Sequence, residues 1–195
     1  ALCAGAMRRL LSEQGTLPHE PMTAMLPVNT RPKGDPGGGN AVGAVLATLA
    51  TDIADARERF EAITASTRRA KEQLSGLSQN AILQYSAMIV APVIFSQIPG
   101  AAERVRPAFN LVVSNVPGPR EHLYFRGHRL DAYYPLSIPF HGYALNITVV
   151  TYVDTLNFGF TADRDAVPHM QRLALYARDA LEELEACVSA QGKRP

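Results

Sequence analysis

Five histidines, His19, His122, His128, His141 and His169, are the first residues to test for chemistry, because an imidazole titrating near neutrality is the usual proton carrier of enzymes. None belongs to a His-x-x-x-His pair or has a partner at ligand spacing, so the sequence offers no metal site. There is no Gly-x-Ser-x-Gly elbow to present a nucleophilic serine. Cys3 and Cys187 make neither a disulfide framework nor a metal-binding spacing, and both fall on apolar helical stripes as small buried hydrophobes do. No self-sufficient catalytic residue is legible. What the chain does carry is polar side chains set into apolar strands: Ser114 and Asn115 after Leu111-Val112-Val113, and Asn146 and Thr148 inside a second apolar run. A buried amide or hydroxyl without a partner costs about 1–3 kcal/mol. Such residues therefore bond within the fold or line a cavity. For Asn115 both readings stand, since an asparagine before a turn can also bond its own backbone two residues on.

The elements that must position these residues follow from periodicity. Leu2, Ala6 and Leu10 form a helical stripe closed by Gly15, and the pattern opens at residue 1 with no Ser, Asp or Asn ahead of it, as in a piece of a longer polypeptide. Strands are expected around Thr23 to Val28 and over residues 41–49, with a flexible Gly/Pro loop at 31–40 between them. Ala56, Phe60, Ile63, Thr67, Ala70 and Leu74 recur at helical spacing behind a cap at Asp52 or Asp55, and Gly76 ends that helix. Residues 80–98 are apolar nearly all round. A membrane span takes roughly 20 apolar residues, and Gln84, Ser86, Pro92 and Gln97 interrupt this one. It reads as a buried helix kinked near Pro92, or as a surface helix dipping into lipid.

"LVVSNVPGP", residues 111–119, is a strand halted by Pro117 and Pro119. "YFRGHRLDAYYPLSIP" is a strand pair or loop turning at Gly127. Residues 145–153 alternate, turn at Asp154-Thr155 and return as a strand over Leu156 to Ala162. A last helix over Ala166 to Val188, capped near Asp165, buries Met170, Leu173, Ala177, Ala180, Leu184 and Cys187. A polar tail occupies 189–195. Strands and helices interspersed without a βαβ rhythm predict an α/β lobe, a mixed sheet covered by helices. With 47% hydrophobic and 19% charged residues the chain can bury a core. A net charge of +1 leaves no field for a polyanion, which sets nucleic acid aside.

"LPVNTR" at 26–31 with "GN" at 39–40, "LATDIADARERFEAI" at 49–63, "SNVPGP" at 114–119 and "ALNITVVTYVDTLNFGFTAD" at 144–163 together resemble, in that order, the C-terminal half of the bacterial wax ester synthase/diacylglycerol acyltransferase family. The similarity runs over nearly the whole chain. It implies one lobe of a chloramphenicol-acetyltransferase-like, two-lobed, CoA-dependent acyltransferase. It also implies transfer of a long-chain acyl group from acyl-CoA, a substrate and not a cofactor, to a fatty alcohol or diacylglycerol. The family's His-His-x-x-x-Asp-Gly motif is absent, so residues 1–195 are expected to be a C-terminal lobe whose catalytic histidine belongs to an N-terminal lobe. On that resemblance Ser114, Asn115, Asn146 and Thr148 would line the substrate cleft between lobes. A peripheral location at the cytoplasmic leaflet or a lipid droplet is the matching expectation. The alternative is a module that holds acyl chains or a lipid surface without catalysis.

Overall fold

The computed structural model describes residues 1–31, 42–98, 100 and 107–191. Helix α1 (Leu2–Glu13) ends as its glycine demands: Gly15 adopts φ +67, its amide donates to the Ser12 carbonyl, and that of Thr16 donates to the Leu11 carbonyl. These are the two bonds of a Schellman ending, open at low cost only to a residue without Cβ strain. Strands β1 (Thr23–Asn29) and β2 (Val42–Thr48) follow. The Gly/Pro loop expected between them lies, beyond Arg31, outside the described residues. Helix α2 (Ala56–Ser75) starts on Asp55, whose carboxylate accepts the amides of Arg57 and Glu58.

Helix α3 (Gln79–Ser96) runs through Pro92 without interruption. After it come β3 (Leu111–Val116), a small hairpin β4 (Tyr124–Phe125) and β5 (His128–Arg129), then β6 (Leu145–Tyr152), β7 (Thr155–Ala162) and helix α4 (Arg172–Gln191). The first hairpin turns on Arg126 and Gly127, both left-handed, the geometry that matches strand twist in a two-residue turn. The second turns on Val153-Asp154, one residue earlier than the sequence suggests, with Val153 at φ +51.

The sheet has the order β2-β1-β3-β6-β7. The outer pairs are antiparallel, and β3 lies parallel to both β1 and β6, so the sheet is mixed, as expected. One face packs on α1 and α4 through Ala6, Leu10, Ala24, Leu111, Leu145, Ile147, Leu173 and Ala177. At the β2 edge, Ser86 of α3 and Ser66 of α2 accept the amides of Ala44 and Thr48, which closes an edge that would otherwise offer itself to another strand.

Three expectations need correction. Helix α3 is not buried all round: Ser86, Ile89 and Val93 face the sheet, while Leu83, Met88, Ile94 and Phe95 are exposed, because the described residues supply a layer on one side only. On α2, Phe60 is exposed and its neighbour Arg59 is buried. There the helix leans on α4, and the guanidinium is satisfied by the Ile53 and Ala54 carbonyls and by Glu183. Helix α4 begins at Arg172, not Ala166, because Asp163 folds the preceding residues into a separate turn by accepting the amides of Asp165 and Ala166. Pro168 and the left-handed His169 (φ +60) end that turn. The helix also runs on to Gln191, so the expected tail starts later, and residues 192–195 lie outside the described ones.

Candidate functional site at the end of strand β3

The β3 ladder does not stop at Val113. It continues through Ser114, Asn115 and Val116 in register with Thr148, Val149 and Val150 of β6, and ends at Pro117, which has no amide hydrogen to give. Side chains on a strand alternate between faces. Asn115 therefore shares with Val113 the helical face packed on α1 and α4, whereas Ser114 shares with Asn146 and Thr148 the opposite face, where Ile89 and Val93 of α3 pack on Met25 and Val112. The sequence-level grouping of all four residues on one cavity is corrected accordingly: three lie on one side of the sheet and one on the other.

On the helical face Asn115 is exposed and lines a groove of about 710 Å³ between the end of β3, β1, α2 and the first turn of α3. Leu26, Val28, Leu74, Ile82 and Val113 make its apolar walls, with Lys71 also on its lining. An amide at one end of such a groove can donate through Nδ2 to an oxygen of a bound molecule, while the walls take a hydrocarbon.

On the opposite face the side chains bond one another. Asn146 and Thr148 are 6% and 4% exposed. The Thr148 hydroxyl donates to Asn146 Oδ1 at 3.1 Å, and Ser137 Oγ lies 2.6 Å from Thr148 Oγ1. A hydroxyl has one proton. Thr148 spends it on Asn146, so Ser137 is the donor to Thr148, and the relay runs Ser137 to Thr148 to Asn146. Ser137 was not legible as a site residue, because it sits in an irregular segment 11 residues before Thr148. Its only signal was a polar residue between two prolines in "PLSIP".

The glycines of the two polar motifs explain how that segment reaches the sheet. A Cβ on Gly118 would come within 1.9 Å of the Thr151 carbonyl oxygen and 2.5 Å of the Tyr133 hydroxyl. One on Gly159 would meet the Pro135 carbonyl oxygen at 1.7 Å. Neither position has room for a side chain. Tyr152 adds a tether, taking the Leu123 amide on its hydroxyl and donating to the Leu130 carbonyl. The Val153 amide donates to the Pro119 carbonyl and ties the turn after β3 to the turn after β6.

All five histidines are exposed, and none lines the groove or joins the relay. Among the described residues no cluster of His, Cys, Asp or Glu is able to hold a metal, and no helix is long and apolar enough to cross a membrane.

Comparison with known proteins places this geometry. A family model described as the WS/DGAT C-terminal domain matches residues 38–185. A Mycobacterium tuberculosis protein provisionally named a diacylglycerol O-acyltransferase is 50% identical over 196 residues, which is 98% of this chain and 39% of that protein. The O-acyltransferase WSD of Acinetobacter baylyi is 40% identical over 98% of this chain and 41% of its own. Among solved structures, the wax ester synthase/diacylglycerol acyltransferase from Marinobacter aquaeolei VT8 superposes with a TM-score of 0.83 at 35% identity, over 96% of this chain and 42% of that one. The starter condensation domain of rhizomide synthetase RzmA, at 16% identity and a TM-score of 0.50 over 95% of this chain and 40% of that one, shares the fold alone. The chain thus spans about two fifths of the length of these relatives.

Proposed function

Because the chain belongs to the WS/DGAT C-terminal domain family, with the mixed-sheet lobe of chloramphenicol-acetyltransferase-like acyltransferases, we propose that it is the non-catalytic lobe of an O-acyltransferase. In that enzyme a long-chain acyl group passes from acyl-CoA to a fatty alcohol or diacylglycerol. The catalytic histidine belongs to the N-terminal lobe, in the part of the relatives that this chain does not cover. The acceptor hydroxyl loses its proton to that base as its oxygen attacks the thioester carbonyl. The carbon–sulfur bond then breaks, and the CoA thiolate leaves and takes up a proton.

The observation that supports this most directly is the groove ending at Asn115. Its walls suit an acyl chain, and the Asn115 amide at the end of β3 suits the oxygen on which charge develops during attack. The relay on the other face holds the lobe's irregular segment and needs no contact with substrate. Release of CoA from palmitoyl-CoA and a long-chain alcohol tests the proposal. The complete two-lobed polypeptide should release it and this chain alone should not. Ester synthesis by residues 1–195 alone would overturn the assignment.

A location at a membrane or lipid-droplet surface is part of the same proposal. Residues 79–98 contain no charged side chain, and Leu83, Met88, Ile94 and Phe95 of α3 are exposed, an apolar face suited to lying in an interface. The same face favours the second reading, a lipid-holding module without catalysis. A complete polypeptide that sediments with liposomes but releases no CoA would select it.

A further inference from the structure

The groove beside Asn115 is apolar on its walls and one-sided in charge. Among the described residues its lining holds a single ionisable side chain, Lys71, and no carboxylate. Lys71 is exposed on α2, four residues after Thr67 and four before Ser75, so all three stand on one helix face toward the groove. The one acid between residues 67 and 75 is Glu72, which lies on Arg68 at 3.9 Å. The Lys71 ammonium itself makes no ion pair or hydrogen bond among the described residues, and neither does the Asn115 amide. The Ser75 hydroxyl, by contrast, is spent on the Glu72 carbonyl, and Asn29 Oδ1 on the Arg31 amide.

These features select among lipids by the charge at the end of the chain. A neutral alcohol or diacylglycerol can use the walls of Leu26, Val28, Ile82 and Val113, but it gains nothing from an ammonium. The nucleotide end of CoA carries several negative charges and calls for several cations, whereas the described lining has one. The match is a single hydrocarbon chain ending in one negative charge that only accepts hydrogen bonds. An ionised carboxylate has that chemistry, and its two oxygens can take protons from both Lys71 and Asn115.

We propose that the groove binds a free long-chain fatty acid, its carboxylate on Lys71 and its tail along the apolar walls, and that the bound acid restrains acyl transfer by filling the place of the donor's chain. The restraint rests on the groove being the acyl site of the proposed enzyme, whereas the binding rests on Lys71 and the walls alone. Lys71 is then a specificity-determining residue, which admits the charged acid ahead of a neutral lipid of equal length. Free acid accumulates when acyl thioesters are hydrolysed faster than they are made, so occupancy slows ester synthesis when donor is scarce.

Equilibrium binding of radiolabelled dodecanoate to the complete polypeptide tests this, at neutral pH and below the concentration at which the acid self-associates. Unlabelled dodecanoate should displace the label at least about 10-fold better than dodecanol does, the contribution of one charge-assisted hydrogen bond. Lys71→Met should weaken dodecanoate binding by a similar factor, and Lys71→Arg should restore it. Equal displacement by dodecanol overturns the proposal, because the end charge is then not read. Unchanged affinity in Lys71→Met overturns it too, because the acid then sits elsewhere. In CoA-release assays the acid should raise the KM for palmitoyl-CoA without lowering kcat, and a lower kcat at saturating donor overturns the shared groove. A polypeptide that binds dodecanoate through Lys71 but releases no CoA ends the acyltransferase reading and keeps the acid site. One that releases CoA yet binds dodecanoate no better than its Lys71→Met variant keeps that reading and ends this proposal.

Discussion

Ser114 and Asn115 are neighbours in the chain whose side chains stand on opposite faces of the central strand. Asn115 looks into the groove beside α2 and α3, and Ser114 stands in register with Thr148 on the relay face.

That division separates two variants of the complete polypeptide. Asn115→Ala should lower kcat on the order of 100-fold, the usual cost of one donor to a developing oxyanion, with the thermal midpoint nearly unchanged. Ser114→Ala should leave kcat within a few-fold of wild type. Steady-state CoA release checks both, and equal losses would place the two residues in one site after all.

Thr148→Val removes the middle of the relay while keeping its shape. It leaves the buried Asn146 Oδ1 without its donor and Ser137 without its acceptor, so urea unfolding should show a loss of about 1–3 kcal/mol. Ser137→Ala should cost less, because Ser137 is half-exposed, and the double variant should fall short of the sum.

Arg59 and Glu183 form an unequal pair, with side chains 5% and 50% exposed. Arg59→Met strips a buried donor from the Ile53 and Ala54 carbonyls and should destabilise by about 3 kcal/mol. Glu183→Gln alters an exposed partner and should cost under about 1 kcal/mol. Chemical denaturation of both variants measures the contrast.

Glu13 gathers the Tyr176 hydroxyl and the Arg9 guanidinium, and these contacts, the tyrosine first, hold its carboxyl below the usual carboxylate range. A carboxyl depressed in the folded state adds stability above its unfolded pKa, about 4.3. That contribution disappears as pH falls through the lower folded value. The thermal midpoint should therefore drop below about pH 4. Glu13→Gln should lower the midpoint at neutral pH and flatten the acid slope.

Wherever a residue's environment is set by its own element, the sequence sufficed to place it. The alternation of β6, the Gly15 helix ending and the Asp55 cap are local matters, and the structure repeats them. Alternation would also have separated Ser114 from Asn115, had the strand been carried on to Pro117. Arg59, Ser137 and the outer face of α3 were not legible for a different reason. Arg59 is buried because α4 carries Glu183 past it, Ser137 is a site residue because two glycines 41 positions apart let its segment settle (Gly118 and Gly159), and α3 is apolar all round although the described residues cover one side. None of these follows from a window of neighbours, since each depends on which parts of the chain distant in sequence pack there.

Gly159 fixes the height of the 133–140 backbone at Pro135, because any atom beyond its Cα would meet the Pro135 carbonyl. Where that segment rests is thus independent of what it displays. Tyr134, Leu136, Ile138 and Phe140 are exposed, so they can be exchanged for other side chains without lifting the main chain. Alanine at Gly159 would shift the main chain that carries all four.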